Sequence, residues 1–211
     1  MGNKSYTKQW DDLESFFKAM NAECEYIVMR NYEELFGDFA KGEHQDIDFL
    51  CTDRESFIKA GGCAARFKEK DLIHRVISVG GREIPVDVRT VGDGYYDTAW
   101  EKHMIATRRI VQDVIPVPEE EDYYYSLLYH AIIQKKKMAE DYKVRLKKMA
   151  ADLGILGEQD LESLLGYMKG KGYMLTYPEN PKGIFNTAGV PEDMIEKDKK
   201  RMFMRKLASL F

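Results

Sequence analysis

No stretch of this sequence approaches the roughly 18 consecutive apolar residues of a membrane-spanning helix, so an integral helical membrane protein is excluded at the outset. Cysteine is scarce. Cys24, Cys51 and Cys63 have no C-x-x-C spacing and no neighbouring histidines, which argues against structural zinc and for buried free thiols in a reducing compartment. A long basic stripe is also missing: 32 Lys and Arg are interspersed with 36 Asp and Glu, for a net charge of −4. Duplex nucleic acid therefore does not suit the chain as a main partner. The opening residues, Met1 to Trp10, are polar and lack the apolar core of a signal peptide. Together these absences predict a cytoplasmic protein with no membrane span.

What is present fits a folded chain. With 211 residues there is room for one domain with a helical extension, or for two small domains. A chain of this size buries roughly 70% of its unfolded surface without needing staples. The apolar content of 44% and charged content of 32% are those of a globular protein rather than a disordered one.

Along the chain, Trp10, Leu13, Phe16, Phe17 and Met20 recur at helical spacing, which predicts a helix over residues 8–22. Tyr26-Ile27-Val28-Met29 reads as a buried strand, followed by a polar loop over 37–45. Asp46-Ile47-Asp48-Phe49-Leu50-Cys51 reads as a second strand, and Asp53 caps a helix over 54–60 that Gly61-Gly62 ends. Residues 72–79 and 82–89 flank Gly80-Gly81, a two-residue hairpin signal. Pro85 removes a ladder donor, which places its stretch near an edge or bulge. A helix over 98–106 follows. From residue 119 onward the pattern is helical, over 123–137, 141–153, 159–169 and 194–210. The expected fold is α+β, with a mixed sheet and flanking helices over 1–117 and a helical region over 118–211.

The chemistry concentrates on three acids. Asp46 and Asp48 stand two apart on a strand, so both leave one face with Cα atoms roughly 7 Å apart, while Ile47, Phe49 and Cys51 face the other way. Carboxylates that close repel one another, and burial makes it worse, so a cation is the natural remedy. Hard oxygen donors favour Mg²⁺ or Mn²⁺ over zinc. An isolated D-x-D is also accounted for by solvated acids at a strand end. A third acid changes the balance: Ile84, Val86 and Val88 face one way and Asp87 the other, where it can join the pair if the strands are neighbours. Three carboxylates could hold two metal ions, one orienting a triphosphate and one activating an acceptor hydroxyl.

Strand, loop, D-x-D strand, helix, hairpin and a strand with a third Asp together resemble the nucleotidyltransferase superfamily of polymerase-β-like fold. Tyr26-Ile27-Val28-Met29-Arg30-Asn31-Tyr32 and Gln45-Asp46-Ile47-Asp48-Phe49-Leu50 look like members found among bacterial surface-polysaccharide genes. The resemblance covers residues 25–135. It implies that Asp46, Asp48 and Asp87 bind Mg²⁺, and that a nucleoside monophosphate passes from an NTP to a small-molecule or glycan-precursor acceptor, releasing pyrophosphate. The family's Gly-Ser pair before D-x-D, whose N–H groups cradle phosphate, is replaced here by Arg30-Asn31. Arg30 could replace the cradle with a bidentate phosphate contact, or nucleotide binding could be lost.

Further candidates are Lys41 and His44, in the loop before D-x-D, and His130, on a stripe with Tyr123, Leu127, Gln134 and Lys137. Each has a plain structural alternative: a surface loop for the first two, a satisfied buried histidine for the last. Arg89 is expected to form a structural ion pair with Asp87. Gly92 to Asp97 reads as a turn with exposed aromatics, and Lys135 to Lys137 as a solvated face. Among Tyr123, Tyr124 and Tyr125 at most two can face one cleft, where a nucleobase could stack. The chain from Tyr173 to Asn186, with Tyr177, Pro178 and Pro181, could form a lid over an acceptor. Besides a nucleotidyltransferase, the sequence is compatible with a non-catalytic nucleotide- or protein-binding module of the same fold, with a helical interaction protein, or with modification of a protein or tRNA end.

Overall fold

The computed structural model describes residues 8–36, 46–68, 71–177 and 184–196. They form two compact units, dividing between Val91 and Gly92, between Glu101 and Lys102, and between Glu119 and Glu120. Among the described residues the fold is mixed α and β, with a five-stranded mixed sheet and six α-helices.

In the first unit, α1 (Leu13–Glu23) is followed by β1 (Tyr26–Val28), β2 (Ile47–Cys51), α2 (Arg54–Gly61), β3 (Ala64–Ala65), β4 (His74–Val79) and β5 (Arg82–Thr90). The strands order as β1-β2-β5-β4-β3. Only β2 and β5 run parallel; the other neighbours are antiparallel. The parallel pair is made possible by the intervening α2 and the β3–β4 excursion, which carry the chain back to its starting end.

One face of β2 is sealed by aromatic packing. Phe49 lies 6.0 Å from Phe16 and 6.3 Å from Phe17 on α1, 4.9 Å from Phe57 on α2 and 5.8 Å from Tyr26 on β1, measured between ring centroids. Those side chains are buried, and their burial fixes which way β2 faces. A slip of one residue would exchange Phe49 for an aspartate.

The first helix starts later than its periodicity predicts. Asp12 and Ser15 make a reciprocal cap, each side chain bonding the other's backbone, so the helix begins at Leu13. Trp10 is instead extended and bridges Val79, with Trp10 N–H donating to Ser78 O at 2.9 Å and Gly80 N–H to Trp10 O at 2.8 Å. The bridge continues an edge of β4 that β3, paired only to Arg75 and Val76, leaves open.

The Gly80-Gly81 hairpin forms with φ of 56° and 74°, the left-handed pair a tight two-residue turn requires. Its strand β5 is central rather than at an edge. Pro85 is accommodated because pairing with β2 begins only at Val86, so on that side no donor is called for at residue 85. The helix α3 (Thr98–Ala106) spans the Glu101–Lys102 division. A hairpin of β6 (Arg109–Val111) and β7 (Ile115–Val117) completes the first unit. Its turn carries Gln112 and Asp113 at positive φ, 47° and 66°. Asn21 joins α1 to this hairpin, donating to Val114 O at 2.8 Å and accepting from Tyr26 OH at 2.7 Å.

The second unit contains α4 (Glu120–Ile133), α5 (Glu140–Leu153) and α6 (Leu161–Lys171). Its core is aromatic: Trp100, fully buried, stacks on Tyr173 with ring centroids 5.5 Å apart and packs against Tyr96, Tyr129 and Tyr167. Asp122, buried beneath, accepts from Trp100 Nε1 at 2.8 Å and from Tyr167 OH at 2.6 Å.

Several sequence expectations change here. Tyr95 and Tyr96 are buried, not exposed. Glu101 accepts from Gly92 N–H at 2.7 Å and from Tyr96 N–H at 3.0 Å, which draws the turn onto α3 and its rings into the core. Tyr123, Tyr124 and Tyr125 are all buried, and α4 ends at Ile133, so Lys135 to Lys137 lie beyond it and are exposed. Of the expected helix over 194–210, only the first three residues are described. Glu192–Met194 is a 3₁₀ turn and Ile195 bridges Leu175. Among the described residues no helix is long and apolar enough to cross a membrane.

Candidate active site

Register creates the site. In the parallel ladder of β2 and β5, Asp48 is the partner of Asp87, and partnered residues of adjacent strands project to the same sheet face. The two backbones are therefore about 4.8 Å apart, with both carboxylates on one side. In the antiparallel ladder of β4 and β5, Asp87 is also the partner of His74. One face of three adjacent strands thus carries a row of Asp48, Asp87 and His74. Asp46, expected on the strand, stands one residue before its first paired position, Ile47, and is half-buried.

Arg30 completes the electrostatics. Pairing of the first two strands extends past Val28, with Met29 N–H donating to Asp48 O at 2.9 Å. Asn31 then turns the chain at φ 58°, a left-handed conformation Asn tolerates. From this corner Arg30 Nη2 donates to Asp48 Oδ1 at 2.7 Å, the two side chains being 10% and 7% exposed. In this conformation the guanidinium addresses the acids of the chain itself, where the sequence suggested a phosphate.

One guanidinium does not neutralise the site. Burial raises Asp48 to about 6; Arg30 opposes this, while the charges of Asp46 and Asp87 add to it. Asp87 is likewise held above the ordinary carboxylate range by burial and by Asp46, against the positive fields of His74, Arg89 and Arg30. Its Oδ1 is buried and has no hydrogen-bond partner among the described residues.

His74 is the residue that sequence reading missed. Its Nδ1 lies 2.8 Å from Asp71 Oδ2. Asp71 is itself held by the backbone N–H groups of Ile73 and His74, each 3.1 Å from its Oδ1. Nδ1 is thus engaged by Asp71, and Nε2 is the ring's other hydrogen-bonding position. The signal lay in the hairpin: counting outward from Gly80-Gly81, Val79 faces Arg82 and, five residues on, His74 faces Asp87.

Lys41 and His44 lie outside the described residues. His130 belongs to the second unit, buried on α4, with Nδ1 at 2.9 Å from Gln134 Oε1 and 3.4 Å from the Tyr95 hydroxyl. Arg89 acts on Asp48 and Asp87 through its field.

Among the described residues, no three of His, Cys, Asp and Glu are gathered closely enough to enclose a metal ion. The donor chemistry nevertheless suits a hard divalent cation: two carboxylates side by side, a third whose charge reaches both, and an orphaned buried oxygen on Asp87. Comparison of the chain with protein-family models, with curated proteins and with solved structures gave no match.

Proposed function

We propose that the protein is a cytoplasmic, Mg²⁺-dependent nucleotidyltransferase of polymerase-β-like fold. On this reading it transfers a nucleoside monophosphate from an NTP to a hydroxyl of a small-molecule or glycan-precursor acceptor. The observation that carries the reading is the β2–β5 register, which sets the second acid of a D-x-D pair beside a third acid on a parallel neighbour. Asp46, Asp48 and Asp87 would hold Mg²⁺ or Mn²⁺. When bound, the metal supplies charge stabilisation for the triphosphate and for the developing pyrophosphate.

The chain's own residues do the rest. The acceptor oxygen attacks the α-phosphorus, the bond from that phosphorus to the bridging oxygen breaks, and pyrophosphate leaves with the electron pair. The acceptor's proton passes to Asp87, whose Oδ1 has no competing hydrogen bond among the described residues. His74, the ladder partner of Asp87, is oriented by Asp71 beside the acids. A site built on three hydrogen-bonded strands restricts the motion of these groups, and catalysis of this kind is mainly positioning and electrostatics.

The Arg30–Asp48 ion pair favours one alternative, a non-catalytic nucleotide-binding module in which Arg30 permanently occupies the acid. Thermal unfolding of the wild type and of the Asp46→Asn/Asp48→Asn double variant, with each NTP and with or without Mg²⁺, separates the two. A nucleotide at about 100 times its Kd adds roughly 2.7 kcal/mol, or about 5–10 °C in Tm for a chain of this size. The enzyme reading expects that rise only in the wild type with metal. A rise in both proteins, independent of metal, would support the binding module, and no rise with any nucleotide would remove both.

A further inference from the structure

The position of Arg30 raises a question of charge. Its Nη2 sits on Asp48 Oδ1 at 2.7 Å, inside a region where both side chains are nine-tenths buried or more. Asp48 also feels the negative charges of Asp46 and Asp87, so removing its counter-ion without replacement would leave crowded, desolvated carboxylates. A divalent cation bound by Asp48 would be such a replacement. The same carboxylate cannot serve both cations well, because the guanidinium and the metal ion would then repel each other at contact distance.

Arg30 has the means to move. It stands at a corner, between the last paired residue of the β1–β2 ladder and Asn31 at φ 58°, and its charge sits at the end of a long side chain. A nucleoside triphosphate arriving with the metal brings a new anion for it, and the planar fork of arginine matches phosphate oxygens.

Resting on the nucleotidyltransferase reading, we propose that Arg30 is an exchangeable counter-ion: it neutralises Asp48 when no nucleotide is bound, yields that carboxylate to the divalent cation, and then contacts the triphosphate that arrives with it. Arg30 thereby couples metal and nucleotide binding. Metal alone must compete with the resident guanidinium, whereas metal with nucleotide relocates it, and by linkage each ligand strengthens the other.

The test uses Mn²⁺ as the probe, with free Mn²⁺ measured by electron paramagnetic resonance. The full chain is titrated with and without the α,β-methylene analogues of the four NTPs. Arg30→Gln is expected to bind Mn²⁺ alone about tenfold more tightly than wild type. The wild-type affinity is expected to rise by about tenfold on adding the preferred analogue, and that of Arg30→Gln by much less, within the usual range of coupling between sites. Equal Mn²⁺ affinity of the two proteins without nucleotide would overturn the exchange while leaving the metal site intact. No Mn²⁺ binding by either protein under any condition would overturn the exchange together with the reading beneath it. A second measurement needs only wild type: in ¹⁵N-arginine-labelled protein, the Arg30 Nε–H resonance should shift saturably as Mg²⁺ and the analogue are added. A resonance that stays fixed through saturation of the site also overturns the proposal.

Discussion

Glu101 shows how much a single buried acid can shape behaviour in solution. It is fully buried, and burial pushes it up to about 8, against the two backbone N–H bonds it accepts from Gly92 and Tyr96 and with the added push of Asp93 and Asp97. The folded state therefore holds a proton that the unfolded chain, with Glu near 4.3, has released. Over that window the native state binds more protons than the unfolded one, so stability falls as pH rises, and the loss is complete above about pH 8. The Tm of wild type should decline between pH 5 and 8. In Glu101→Gln, which cannot ionise, the decline should be much flatter; equal slopes by circular dichroism would count against this account. Asp48, raised to about 6, works in the same direction over a lower window, from about pH 4 to 6.

At the scale of elements, the β4–β5 hairpin carries the site's geometry. Its turn fixes Val79 opposite Arg82 and hence His74 opposite Asp87. Both turn residues need positive φ, and a Cβ at Gly81 would meet nothing within 4 Å, so substitution there is governed by backbone strain alone. Gly81→Ala should cost roughly 1–2 kcal/mol. Gly81→Asn should cost less, because Asn visits this conformation more readily. Urea denaturation of the two variants measures the difference, and an Ala variant as stable as wild type would refute the strain argument. The β6–β7 hairpin illustrates the opposite case. Gln112 and Asp113 adopt the same left-handed conformations without glycine, so the turn signal that announced the first hairpin was missing from the second.

For the molecule as a whole, each unit depends on its own aromatic core: Phe16, Phe17, Phe49 and Phe57 in the first, Trp100 with Tyr96, Tyr129, Tyr167 and Tyr173 in the second. Trp100→Ala would open a large cavity and leave Asp122 with one donor fewer. A cost of about 3–5 kcal/mol is expected, a large share of the roughly 5–15 kcal/mol that stabilises an ordinary domain. Near-UV circular dichroism and thermal unfolding should show the loss; a variant melting within about 2 °C of wild type would contradict the central place given to this ring.

The sequence by itself determined which residues form strands and helices wherever a local rule sufficed. Alternation put Phe49 on one face of its strand and Asp48 on the other, the Gly80-Gly81 pair placed a hairpin, and Asp53 capped a helix at Arg54. Those rules act over a few residues, through sterics and backbone hydrogen bonds. Only the tertiary structure decided the rest. That β2 lies parallel to β5 with Asp48 against Asp87 depends on α1 and α2 sealing the Phe49 face. That Arg30 meets Asp48 depends on the strand pairing across eighteen residues of chain. His74 was within reach of a register count, yet it became part of the site only once β5 had β2 on its other side. Trp10, periodic with the first helix, was drawn into an extended bridge because the edge of β4 offered hydrogen bonds that a further helical turn would have left unmade. Local patterns specify elements, and the burial of their faces specifies which charges are forced together.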